Sequence, residues 1–192
     1  MSLSNSMWTT RKSRINTSER LKSNDFISQV LLTYYSLFII ILTIVDMQDD
    51  NISFEVLTLV LSILILVVST FIFSMNYKER SLRLQSAYIK INKLYRITEA
   101  KEKIGADTSE EERHFDDILE CTENHSYCDY IQVMFEVKDN DTYKAVNPPF
   151  GYAAWAGYLL CKTKKYFFVS ILFLIPIVIL YCYPVQNTLS HI

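Results

Sequence analysis

His114, Cys121, His125 and Cys128 are spaced by seven, four and three residues. On one continuous helix that spacing sets all four on roughly one face. His and Cys are zinc-ligand types, but a helix spreads these four over about 20 Å, too far to close one tetrahedron. At most Cys121, His125 and Cys128 could share a metal, with help from another chain. The alternative is structural: Asn124, His125, Ser126, Asp129 and Tyr130 supply polar groups that can bond to a neighbouring helix or to the N-terminal region. No metal or other cofactor is expected. Catalysis has no signature either, since the chain lacks a glycine-rich phosphate loop, His-Glu-x-x-His and Gly-x-Ser-x-Gly. Three glycines are too few for most nucleotide-cradling loops. Asp116-Asp117 and the Glu110–Glu112 run read as a solvated helix start, so the chain is not expected to be an enzyme.

A second set of polar residues lies in apolar surroundings. Gln29, Thr33, Ser36 and Thr43 fall on one face of a first apolar stretch, and Thr58, Ser62 and Ser69 on one face of a second. Such stripes hydrogen-bond between membrane helices or, with several copies assembled, line a wetted path. Both readings stand at this level. Glu55, with Asp46, Asp49 and Asp50, would ring the outer mouth of a symmetric assembly with carboxylates and favour cations.

These residues need elements to carry them, and the placement of charge supplies those. Among 192 residues, 26–45 and 56–75 contain no Asp, Glu, Lys or Arg, and neither does Tyr166 to the end. Twenty residues at 1.5 Å rise cross a hydrocarbon core of about 30 Å. The first two stretches are therefore transmembrane helices. Residues 166–183 make a third span, with Pro176 inside it and Tyr166, Tyr181 and Tyr183 at interfacial depths. Pro176 removes one backbone bond and crowds the Leu172 carbonyl, which membrane helices tolerate when a neighbour re-satisfies the freed group.

Basic residues cluster in 1–25 (net +3) and in the Lys78, Arg80 and Arg83 group, with Lys162, Lys164 and Lys165 before the third span. The turn from Asp46 to Glu55 is wholly acidic. Positive flanks stay inside, so the N-terminus and residues 76–165 are expected in the cytoplasm. The basic leader either binds anionic lipid heads or only sets topology. Cysteines of the cytoplasmic part are expected as free thiols, with no disulfide framework. A sequence pI near 5.9 argues against direct nucleic-acid binding.

Residues 76–165 are balanced, with 14 basic and 15 acidic side chains. Tyr77, Ser81, Leu84, Tyr88, Ile91, Tyr95 and Thr98 repeat at spacings of four and three, a heptad-like seam. No Gly or Pro interrupts Asn76–Ile104, so the second span is expected to continue as one helix. The seam serves either a helical hairpin within the chain or a coiled coil between chains. Gly105–Thr108 makes a turn, and a second helix opens at Thr108 or Ser109 and folds back. Residues 135–147 read as loop, Pro148-Pro149 as a stiff turn, and Tyr152–Cys161 as helix running toward the third span. The fold class is all-α: a membrane hairpin (26–75), a cytoplasmic helical region (76–165), a third span (166–183) and a tail (184–192).

Several of these segments recur together. Trp8-Thr-Thr-Arg11-Lys-Ser-Arg14-Ile-Asn16, Ser18-Glu-Arg20-Leu21, Tyr34-Tyr35-Ser36, Ser74-Met-Asn-Tyr77-Lys78-Glu-Arg80-Ser-Leu82, and Asn124-His-Ser126 before Asp129-Tyr130 are the residues concerned. Over roughly residues 7–135 the chain resembles the SLATT proteins, two-transmembrane effectors associated with bacterial nucleotide-second-messenger defence systems. It looks most like the branch tied to reverse-transcriptase or nucleotidyltransferase neighbours. The resemblance implies a homo-oligomeric, pore-forming or membrane-disrupting protein of the inner membrane that kills or arrests an infected cell. Its trigger would be a nucleotide signal or a cytoplasmic partner protein. It implies no catalytic residues. The alternative is a membrane anchor whose cytoplasmic helices recruit a partner enzyme.

Overall fold

With few glycines and prolines to interrupt it, the chain is almost wholly helical. A computed structural model describes residues 2–47, 54–138 and 151–189. Helix makes up 89% of them with no strand among them, which makes the fold all-α. The helices are α1 (Leu3–Asp46), α2 (Glu55–Ser74), α3 (Tyr77–Lys103), α4 (Ser109–Glu120), α5 (Tyr127–Val137) and α6 (Tyr152–Leu189). The chain forms two compact units. One comprises Met1–Ser23 and Tyr77–Lys162, the other Asn24–Asn76 and Thr163–Ile192.

The second unit carries the apolar parts of α1, α2 and α6, each long and apolar enough to cross a membrane. The most apolar window of the helix beginning at Glu55 has a mean hydropathy of 2.9 and none of it is buried within the chain. Water would not tolerate so large an uncovered apolar surface, so lipid must cover it. Inside this unit Phe38 and Leu42 of α1 pack with Phe54 and with Leu57, Leu61 and Ile179. The Asp46 carboxylate accepts from the Phe54 amide, satisfying a donor at the start of α2.

The first unit packs the first part of α1 against α3, α4 and α5. Met7, Ile91, Leu94 and Phe115 form one cluster, and Trp8, Val133 and Val137 form another. Ser4 donates its amide and hydroxyl to the Glu102 carboxylate, so α3 caps α1. Lys101 pairs with Glu111 at 2.7 Å, and Arg80 with Glu123 at 2.6 Å.

α1 runs unbroken from Leu3 through the basic leader, because no Gly or Pro stops it, and three of the leader's cations lie against protein. Arg11 bonds Asn92, Lys12 lies 3.7 Å from Glu136, and Arg14 is buried. The second span and α3 are two helices rather than one, interrupted at Asn76, which takes a left-handed φ of 47°. Asn is one of the few residues to visit that region at modest cost. The helix expected from residue 108 divides at residues 121–126, where Ser126 caps α5. The acids Asp49 and Asp50, residues 139–147 and the Pro148-Pro149 turn lie outside the described residues. α6 continues to Leu189, past the expected end of the third span at Tyr183.

Candidate functional site

The densest polar arrangement in the first unit centres on Asp129, which is 3% exposed. Ser126-x-x-Asp129 is a capping box. The Ser126 hydroxyl and the Asp129 carboxylate each serve the other end's amide, which fixes the start of α5. The same carboxylate accepts from Arg20 Nε and Nη2, both at 2.9 Å, and from the Thr17 hydroxyl at 2.9 Å. Asn16 donates to the Asp129 carbonyl. One side chain thus caps α5 and ties it to α1. Burial alone would push the Asp129 pKa up, but the bonds from Arg20 and Ser126 outweigh it and hold the carboxyl below its usual range.

The Asn124–Tyr130 motif is therefore distributed around this hub. Asn124 accepts from the His125 amide, and the His125 ring stacks on Tyr130 with centroids 6.0 Å apart. Burial lowers the His125 pKa. The four His and Cys residues do not share a helix face. Cys121 ends α4, His125 lies in the connection, and Cys128 lies in α5. Nor are the thiols all free: Cys128 is joined to Cys161, linking α5 to the start of α6, while Cys121 is free and exposed. Sequence separation of 33 residues hid that pairing. Near it, a Cβ on Gly157 would meet Ile131 Cδ1 at 3.1 Å and the Tyr127 hydroxyl at 3.2 Å. Glycine here permits the close approach of α6 to Ile131 and Tyr127 of α5.

The seam on α3 is covered from within the chain. Ser81, Leu84, Ile91 and Thr98 are buried, with Ala87 and Leu94 beside them, and Tyr77, Tyr88 and Tyr95 are half-buried. Ser18 and Ser81 exchange hydroxyl bonds at 3.0–3.1 Å, and Arg11 lies over the Tyr95 ring. The intramolecular hairpin, not a coiled coil between chains, occupies this face. The opposite face of α3 leaves Leu82, Ile89, Ile97 and Ile104 exposed.

In the second unit, Pro176 is fully buried in α6. Its missing N–H leaves the Leu172 carbonyl without a helical donor. Tyr35 supplies that donor: its hydroxyl bonds Leu172 O at 2.8 Å. Tyr34 bonds the next carbonyl, Phe173 O, at 3.2 Å, and its ring rests on Phe173 at 5.2 Å. Two adjacent tyrosines of α1 thus hold the proline turn of α6. Sequence alone required some neighbour at Pro176 but could not say which.

The polar stripes turn outward. Gln29, Thr33, Ser36 and Thr43 on α1, and Glu55 and Ser62 on α2, are exposed, while Thr58 and Ser69 are partly so. Gln29 donates to Asp25. Each hydroxyl donates to a carbonyl of its own helix at 2.7–3.0 Å: Thr33 to Gln29, Ser36 to Leu32, Thr43 to Ile39, Thr58 to Phe54, Ser62 to Thr58 and Ser69 to Leu66. The hydroxyl protons are thus placed without a partner helix, which keeps the stripe tolerable in lipid. The oxygens keep free lone pairs that water or a second copy could meet.

A family model, that of SMODS and SLOG-associating 2TM effector domain family 5, matches residues 1–183, a stretch that takes in the third apolar helix as well as the first two. No curated protein and no solved structure matches the chain.

Proposed function

The chain belongs to family 5 of the SMODS and SLOG-associating 2TM effector domains, and from that membership we propose a membrane effector of a bacterial conflict system that acts through copies of itself. The family is one of membrane effectors and its description names no enzyme. In this reading the chain sits in the inner membrane with its first unit in the cytoplasm. A nucleotide signal or a partner protein rearranges that unit. The assembled spans then open or disrupt the bilayer, and the cell dies or stops growing.

The observation that carries this reading is the outward polar stripe of Gln29, Thr33, Ser36 and Thr43 on a helix otherwise apolar enough to span. Nothing described within the chain covers it. In a ring of copies it faces its counterparts or a water path, where hydroxyl oxygens regain value. Dye entry and growth in bacteria producing the chain test it, against a Thr33→Leu/Ser36→Leu variant checked for insertion. The expected result is at least a tenfold fall in dye-positive cells for the variant. Equal permeabilisation by both chains would remove the stripe from the mechanism.

The anchor reading has its own support in the outer face of α3. There Leu82, Ile89 and Ile97 lie exposed among Lys90, Lys93 and Arg96, a face suited to an acidic, partly apolar partner helix. Under that reading Lys93→Glu abolishes capture of the partner enzyme while liposomes stay sealed.

A further inference from the structure

Arg14 has no role in the packing described so far, yet only 3% of its surface is exposed. Its Nε and Nη1 are buried and have no hydrogen-bond partner. An unpaired guanidinium is among the most expensive groups to bury, because its hydration is lost with nothing in exchange. The obvious internal acceptor is taken. Asp129 lies near Thr17, one turn along the same buried face of α1, but its two oxygens already accept from Arg20, Thr17 and Ser126. The next acid on α5, Glu136, lies 3.7 Å from Lys12. Ser13, beside Arg14 and fully buried, also has a hydroxyl oxygen without a partner.

We propose that Arg14, with the Ser13 hydroxyl, forms an anion site that takes the phosphate group of a small soluble ligand. Several orphan donors need several acceptor oxygens. A tetrahedral phosphate brings three or more, where chloride brings a single centre. Arginine's planar donor set suits phosphate better than lysine's point charge does. Burial also lowers the Arg14 pKa. As the trigger of the effector the site rests on the proposed function; as an anion site it does not.

The test is the melting temperature of the full chain in detergent with sodium phosphate or pyrophosphate, against sodium chloride at equal ionic strength. Wild type is expected to gain about 3 °C at ten times the dissociation constant. Arg14→Met, which removes an unpaired charge and keeps an apolar stem, is expected to fold at least as stably and gain nothing. Arg14→Lys guards against a misfolded Met variant and is expected to weaken phosphate at least fivefold. No shift in wild type, or an equal shift in the Met or Lys variant, overturns the site. A phosphate shift that leaves assembly and conductance unchanged refutes the trigger role alone. Conductance without any phosphate shift sinks the site and leaves the effector reading standing.

Discussion

Asp129→Ala is expected to destabilise the first unit by about 2–3 kcal/mol, measured by denaturation of the full chain in detergent. The substitution removes the cap of α5, leaves the Ser126 amide without its acceptor, and strips Arg20 of its bidentate partner, while the Thr17 hydroxyl keeps the Ser13 carbonyl. Arg20 is 37% exposed and re-solvates, which keeps the loss below that of a fully buried pair. The pH dependence follows from the sign of the shift. The Asp129 carboxyl is held below its ordinary 3.8 by Arg20 and Ser126 against the opposing effect of burial. Its contribution is therefore complete above the unfolded value and is lost as pH falls through the folded one. Wild type should lose stability below about pH 4, and the alanine variant should lack this part of the acid slope. An unchanged acid slope would mean that another carboxylate dominates.

The second large effect lies in the membrane unit. Tyr35→Phe removes one oxygen and leaves the Leu172 carbonyl, already deprived of its helical donor by Pro176, without any. The expected cost is about 1–2 kcal/mol, near the upper end of single interhelical bonds in membranes. Pro176→Ala restores an N–H at the position that normally bonds Leu172, so in that background Tyr35→Phe should cost less than about 0.5 kcal/mol. This double-mutant cycle separates the specific bond from loss of a polar atom at large. Additive costs would show that the Tyr35 hydroxyl does not act through the carbonyl that Pro176 frees. Since the clamp fixes α6 against α1, the single variant should also lower the threshold for permeabilisation in producing cells.

How much of this was legible in the sequence varies with the range of the interaction. The spans were readable because a charge-free run of twenty residues has few other uses. The start of α5 was readable in principle, since Ser126-x-x-Asp129 is a local capping signal. Glu110–Glu112 is a stronger helix start nearby and masks it, so the stretch reads as one helix. The same carboxylate's bonds to Thr17 and Arg20 bridge 112 and 109 residues, and no local pattern announces them. The contacts of the basic leader were hidden for a related reason: Arg11 and Lys12 signal membrane topology by composition, whereas their partners Asn92 and Glu136 lie on α3 and α5. Asn76 interrupts the helix with neither Gly nor Pro beside it, so only its tolerance for positive φ hinted at the break. The seam on α3 was readable as a buried face, but periodicity could not say whether the cover came from the same chain or another. Pro176 showed that a donor was needed; that the donor was Tyr35 is a matter of tertiary structure.

The central claim is that this chain acts as an assembly in the membrane. Mass measurement of the purified full chain in lipid nanodiscs and planar bilayers, with current recorded from the same preparation, tests it most directly. The account predicts a multimer of defined size and discrete conductance steps that Thr33→Leu/Ser36→Leu abolishes. A chain that stays monomeric in lipid and passes no current, even with phosphate-bearing ligands present, would contradict it.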